Sequence, residues 1–162
     1  MILGIDPGLA STGYAVVERA SGRVRPVDWG VIRTMPADPH PERLLAIYTR
    51  VTALLETHQI EAAAIESWFV HPVSKAAMGM AESRGAIQVA IAQAGITIVE
   101  YSPNTIKQAV TGSGRADKAQ VRAMVARLSG VDPGSDHAGD ALAAAICHLS
   151  GSSLAAAIRR AR

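Results

Sequence analysis

The chain has 162 residues, 16 Lys and Arg against 14 Asp and Glu, one Cys, and 49% hydrophobic content. That length suits one domain with a substantial core, and a single Cys excludes both an intramolecular disulfide framework and a thiolate-rich zinc site. The start, MILGIDPG, lacks the basic region and apolar run of a secretory signal, and the uncharged stretches Gly85–Val99 and Ala141–Ile158 are interrupted by polar side chains, so a soluble cytoplasmic protein is expected.

Ile2–Asp6 is a short apolar run that stops at Pro7-Gly8, as a central strand does before a turn. Thr12–Glu18 reads as a second strand, Ser21-Gly22 as a turn, and the Val- and Ile-rich Arg23–Arg33 as a third strand of a meander. Pro36, Pro39 and Pro41 mark a loop. Glu42 then opens a helix with Leu44, Leu45, Ile47, Tyr48, Val51, Leu54 and Leu55 at helical spacing. Ile60–Ile65 is a strand ending at Glu66, Ser74–Ala94 an Ala-rich helix stopped by Gly95, and Ile96–Tyr101 a fifth strand. Pro103 suits the first turn of a helix to about Val110, and Thr111-Gly-Ser-Gly114 is a loop. Helices are expected over Ala116–Leu128 and Asp136–Leu149, with a last, weak one over Ser152–Arg160. The pattern predicts an α/β fold, a mixed five-stranded sheet built from a three-stranded antiparallel meander plus parallel strands and flanked by helices. Residues 1–150 are expected to form the domain and 151–162 a short basic tail.

The formal charge of +2 conceals opposed local fields. Residues 1–66 carry six basic and eight acidic side chains, a balance of −2, whereas residues 101–127 hold Lys107, Arg115, Lys118, Arg122 and Arg127 against Asp117 alone, a balance of +4. Residues 128–157 carry three Asp with no Lys or Arg, and Arg159, Arg160 and Arg162 close the chain.

Several of the acids stand where an element meets a turn. Asp6 closes the first strand, Glu66 the fourth, and Asp136, His137 and Asp140 occupy the first turns of one helix, with His137 and Asp140 three apart on one face. Buried unpaired carboxylates are costly, so acids ending apolar strands do not serve as core. If Asp6, Glu66, His137 and Asp140 converge, an oxygen-rich cluster with one imidazole results, suited to Mg²⁺ or Mn²⁺. Each residue also has a plainer reading: Asp6 as a turn-capping side chain, Glu66 as an Arg partner, Asp136 as an acid at a helix N-terminus. His40, His58, His71 and His148 read as surface or packing residues, and Cys147 as a buried, inert thiol.

Four segments occur in a fixed order: Gly4-Ile-Asp-Pro-Gly-Leu-Ala-Ser-Thr-Gly13, Ile65-Glu66 followed by Phe69, Lys107-Gln-Ala-Val-Thr-Gly-Ser-Gly-Arg-Ala-Asp-Lys118, and Asp136-His-Ala-Gly-Asp-Ala141. Together they make the chain resemble the RuvC-type Holliday junction endonucleases of the ribonuclease H-like fold, over residues 1 to about 150. The resemblance implies metal-binding acids at Asp6, Glu66 and Asp140 and a fourth ligand at His137. The spacing to Asp140 favours His137 over the adjacent Asp136. An imidazole among carboxylates tilts the preference toward Mn²⁺ over Mg²⁺. Also implied are two metal ions per active site, a homodimer that nicks two opposed strands of a four-way junction to leave 5′-phosphate and 3′-hydroxyl ends, and a branch-migration complex of RuvA and RuvB type as partner. Ala77, Ala81 and Gly85 form a small-residue stripe that could receive a partner's helix or pack on the chain's own sheet.

Phosphate contacts are expected from the basic block: Lys107 after the fifth strand, and Arg115 and Lys118 around the Gly112-Ser-Gly114 turn, a turn that is neither a Walker loop nor a dinucleotide fingerprint. The resemblance singles out Lys107 and Lys118 for substrate binding and Phe69 for stacking on a junction base. Beside it Trp68 reads equally as a core anchor, and His71-Pro72-Val73 departs from the polar loop expected of the family. Rival readings are an RNA/DNA-hybrid ribonuclease and a non-catalytic junction binder. A two-domain sugar-kinase or actin-like phosphotransferase would need a longer chain.

Overall fold

A computed structural model describes residues 1–67 and 74–160, without the side chains of 75, 76 and 152–160. Its strands are β1 (Ile2–Asp6), β2 (Ser11–Ala20), β3 (Arg23–Arg33), β4 (Ala62–Glu66) and β5 (Thr97–Tyr101). Its helices are α1 (His40–Thr57), α2 (Lys75–Gln93), α3 (Pro103–Thr111), α4 (Lys118–Ser129) and α5 (Asp136–Arg160). The sheet order is β3-β2-β1-β4-β5, with antiparallel pairing from β3 to β1 and parallel pairing from β1 to β5, as the sequence pattern leads one to expect. Ser21 and Gly22, both with positive φ, make the tight β2–β3 turn, and Pro26 sits on β3 at the edge of the sheet, where a missing N–H is tolerated.

Alternation along the strands splits the core in two. Leu3, Ile5, Val16, Ala63 and Ile65 face α1 and α2, where Ile47, Val51, Leu54, Ile87 and Ile91 meet them. Ile2, Ala15, Val17, Ala62 and Ala64 face α3, α4 and α5. Not every apolar residue at helical spacing is used: on α1, Ile47, Val51 and Leu54 form the buried stripe while Leu45 is 60% exposed. The helix starts follow local chemistry. Ser74 and Ser102 accept hydrogen bonds from Ala77 N and Thr105 N, and Asp117 with Gln120 forms a capping box at α4. Gly112 and Gly130 close α3 and α4 in the left-handed conformation.

α5 differs from the sequence pattern, which suggests a break near Ser150-Gly151: it is one helix through Arg160. The Ser150 hydroxyl donates back to Ile146 O at 2.9 Å, which satisfies it inside the helix, and the Arg19 guanidinium donates to Leu149 O at 3.0 Å. The first half of α5 lies almost on the sheet. A Cβ on Gly4 would stand 2.0 Å from Ala141 O, and one on Gly13 would stand 2.0 Å from His137 O. Buried Ala138, Ala141, Ala144 and Ala145 complete that close approach, which explains the Ala richness of this segment.

On α2, Ser83, Ile87, Ala90 and Ile91 turn inward, whereas Ala81 is exposed and Gly85 has open space where a Cβ would point. Met78 and Val89 are more than half exposed on the same helix. Among the described residues no helix is long and apolar enough to cross a membrane.

Candidate active site

Asp6 ends β1 opposite Gly13, and Glu66 follows Ile65, which pairs with Ile5, so the two carboxylates stand side by side at one end of the sheet. Ile5 and Ile65 point toward α1 and α2; alternation therefore turns Asp6 and Glu66 to the other face, beneath the N-terminal turns of α5. There the His137 Nδ1 lies 2.7 Å from Asp6 Oδ2. Asp140, one turn further along α5, lines a cleft of about 290 Å³ with Glu66, Lys107 and Lys118. Pro103, Ile106, Val121 and Ala143 supply its apolar walls.

The electrostatics show the acids acting on one another. Burial raises the Asp6 carboxyl above the usual aspartate value, and the His137 hydrogen bond and charge oppose that rise, helped by Lys118. Burial also raises Glu66, reinforced by the charges of Asp140 and Asp6 and opposed by Lys107. Asp140 is raised by burial and then by Asp6. These are carboxylates packed together at a cost, with two lysines in partial compensation.

The donor set fits a hard or intermediate divalent ion. It is oxygen-rich with one imidazole, and a dication would favour the ionised forms that burial and repulsion now disfavour. Among the described residues, however, no three His, Cys, Asp or Glu side chains already surround one point as a metal site requires. Asp6 is held by His137 instead.

Of the other residues marked in the sequence, Lys107 lines the cleft half-buried. Lys118 lines it too, but its Nζ is 2.9 Å from Asp136 Oδ2. That hydrogen bond and charge hold Asp136 below, and Lys118 above, their ordinary values. Asp136 is thus the partner of a lysine, in addition to standing at a helix N-terminus. Arg122 joins the pair, 3.6 Å from Asp136. Arg115 is exposed and does not line the cleft. Phe69, with Trp68, His71 and Pro72, lies outside the described residues. The remaining histidines are accounted for locally: His40 meets Glu82, His58 meets Asp28, and His148 shares a hydrogen bond with Tyr101. Cys147 is buried, which pushes its thiol up to about 11.

Sequence reasoning missed Arg84. This α2 residue is 12% exposed, donates from Nη1 to the Glu66 carbonyl oxygen at 2.9 Å, and meets Glu100 through Nη2 at 2.5 Å. The Arg partner considered for Glu66 exists, but it binds the backbone and not the carboxylate.

Comparisons with known proteins bear on the family and the fold. Residues 2–148 match the family described as crossover junction endodeoxyribonuclease RuvC. A protein of that name from Alkalilimnicola ehrlichii is 46% identical over 162 residues, 99% of this chain and 97% of its own length. Its namesake from Chloroflexus aggregans is 46% identical over 148 residues, 90% of each chain. Among solved structures, Thermus thermophilus RuvC in complex with Holliday junction substrate superposes with a TM-score of 0.88 at 33% identity, covering 95% of each chain. A fowlpox virus resolvase shares the fold, with a TM-score of 0.60 at 12% identity over 93% of this chain and 99% of its own. With a family match over residues 2–148, a relative 46% identical over nearly the whole length and a superposable fold, the chain belongs to the RuvC family of crossover junction endodeoxyribonucleases.

Proposed function

We propose that this protein resolves four-way DNA junctions by symmetric, metal-dependent nicking, leaving 5′-phosphate and 3′-hydroxyl ends. The observation that carries the reading is the gathering of four groups at one end of the sheet: Glu66 and Asp140 line a cleft with Lys107 and Lys118, and Asp6, held by His137, stands close enough to act on both acids. The Thermus relative, similar over 95% of both chains, was solved with a Holliday junction substrate, which supports the same substrate class here.

In this reading Asp6, Glu66, Asp140 and His137 would hold two divalent ions, and the imidazole would favour Mn²⁺ over Mg²⁺. When bound, such ions supply Lewis acidity for phosphodiester hydrolysis by water. The protein's own part is to orient and compensate. Lys107 and Lys118 bring positive charge to the wall where the strand's phosphates enter, and Arg115 meets the backbone further out. For Lys118 to reach phosphate it exchanges its bond to Asp136, so Asp136 occupies the lysine in the free enzyme. His137 holds Asp6 at 2.7 Å in the metal-free protein, and both would serve as ligands when ions bind. Phe69 stacks on a base unpaired at the crossover. The exposed face of α2, with Met78, Ala81, Gly85 and Val89, is the surface through which two copies associate, so that two clefts serve opposed strands. Contact with RuvA- and RuvB-type branch-migration proteins and a cytoplasmic location complete the reading, as does the division into a nuclease domain over 1–150 and a basic tail over 151–162.

The test is Asp6→Asn. Junction cleavage in Mn²⁺ or Mg²⁺ should fall to background while junction binding persists, since the lysines that meet phosphate keep their charge. Retained turnover would refute the site assignment.

A further inference from the structure

Arg84 stands on the opposite side of the sheet from the cleft carboxylates. Ile65 pairs with Glu100 across β4 and β5, and Ile96 and Ile98 pack with the α1/α2 core, so alternation turns Glu100 toward α2. Arg84 meets it there and reaches past the end of β4 to the Glu66 carbonyl oxygen. It lines, with Asp6, Pro7, Glu66, Ser67 and Met80, a second cavity of about 170 Å³ behind the site. The backbone continues the pairing one residue further, Ser67 N donating to Tyr101 O at 2.7 Å. The peptide between Glu66 and Ser67 is therefore held at both its carbonyl and its N–H, just where the Glu66 side chain departs.

A guanidinium so near a cluster of carboxylates would ordinarily pair with one of them and compete with a cation for it. Here it does not: among the described residues its ion pair is with Glu100, and its remaining directed bond is to a backbone oxygen. The planar fork of Arg serves two acceptors at fixed angles, which the single ammonium of Lys does not reproduce. We propose that Arg84, its charge taken up by Glu100, is a positioning residue for Glu66, fixing the direction from which that carboxylate enters the cleft without lending the site positive charge. This rests on the reading of Glu66 as a metal ligand. A group that orients a metal ligand contributes about 10–100-fold to metal affinity when removed.

The experiment is calorimetric titration of the full-length protein with Mn²⁺, alongside thermal unfolding and cleavage as a function of Mn²⁺ concentration. Arg84→Lys should weaken Mn²⁺ binding about tenfold or more and shift half-maximal cleavage to correspondingly higher Mn²⁺, with cleavage recovering at saturating metal. Glu100→Gln, which keeps the guanidinium bond to the Glu66 carbonyl but frees its charge, should weaken Mn²⁺ binding by about threefold or more at an unchanged melting temperature. Unchanged Mn²⁺ affinity in Arg84→Lys overturns the proposal; if that variant fails to fold, unchanged affinity in Glu100→Gln overturns it. Glu66→Gln separates the two readings. If it too binds Mn²⁺ like the wild type, the ligand assignment is at fault and not the role of Arg84.

Discussion

Burial and mutual repulsion raise the carboxyls of Glu66 and Asp140, so in the metal-free protein each is harder to ionise than in the unfolded chain. For Asp140 the resulting stability is fully present below its unfolded value of 3.8 and is lost as pH rises through the higher folded value. At neutral pH the ionised group is therefore a burden on the fold. Asp140→Asn should raise the melting temperature of the metal-free protein at pH 7.5, read by thermal unfolding of both proteins in the same buffer. The gain should shrink as the pH approaches 4, and a lower melting temperature for the variant at pH 7.5 would contradict it. Lys118 behaves differently because it is exposed and already partnered. Lys118→Ala should weaken junction binding and reduce the slope of log affinity against log salt by about one, read from binding curves at several salt concentrations. An unchanged slope would remove Lys118 from the phosphate contacts. At this scale the acids were legible because a carboxylate at the end of an apolar strand is conspicuous. The Lys118–Asp136 pair and the Arg84 bond to Glu66 O were not, since neither follows from spacing along one element.

α5 carries His137 and Asp140 to Asp6 because Gly4 of β1 and Gly13 of β2 put no side chain in the path of its first turns. Gly13 is the sharper case: its would-be Cβ and the His137 carbonyl cannot coexist at 2.0 Å. Gly13→Ala should push the start of α5 off the sheet, costing about 1–3 kcal/mol in stability and lowering kcat about 100-fold, while junction binding through α3 and α4 persists. Unaltered kcat would mean that the position of His137 does not matter to the chemistry. The strand and helix pattern was readable from periodicity and turn residues, with β1 and β3 falling on their expected bounds. What periodicity missed was contextual. The β3 partner of Val17 is Pro26 at a register shift, and α5 runs through Ser150-Gly151 because a hydroxyl and a distant arginine satisfy its backbone there. Helical spacing did not separate buried Ile47 from exposed Leu45, because which side of α1 meets the sheet depends on tertiary packing.

The whole molecule gathers negative charge at one end of the sheet and lines the approach with α3 and α4, so a near-neutral total charge coexists with an acidic end and a basic wall. The apolar strip on α2 faces the other way, on the sheet face away from the cleft. Two copies joined through α2 would carry two clefts on one assembly, the geometry that paired strand cleavage needs. The most direct measurement is to incubate the protein with a mobile four-way junction and, in parallel, with an RNA/DNA hybrid, in Mn²⁺ and in Mg²⁺, mapping every cut at nucleotide resolution. Two symmetrically placed nicks on opposed strands of the junction, with ligatable 5′-phosphate ends and the hybrid untouched, are the result this account predicts. Cleavage of the hybrid in preference to the junction, or junction binding with no metal-dependent nick, would contradict it.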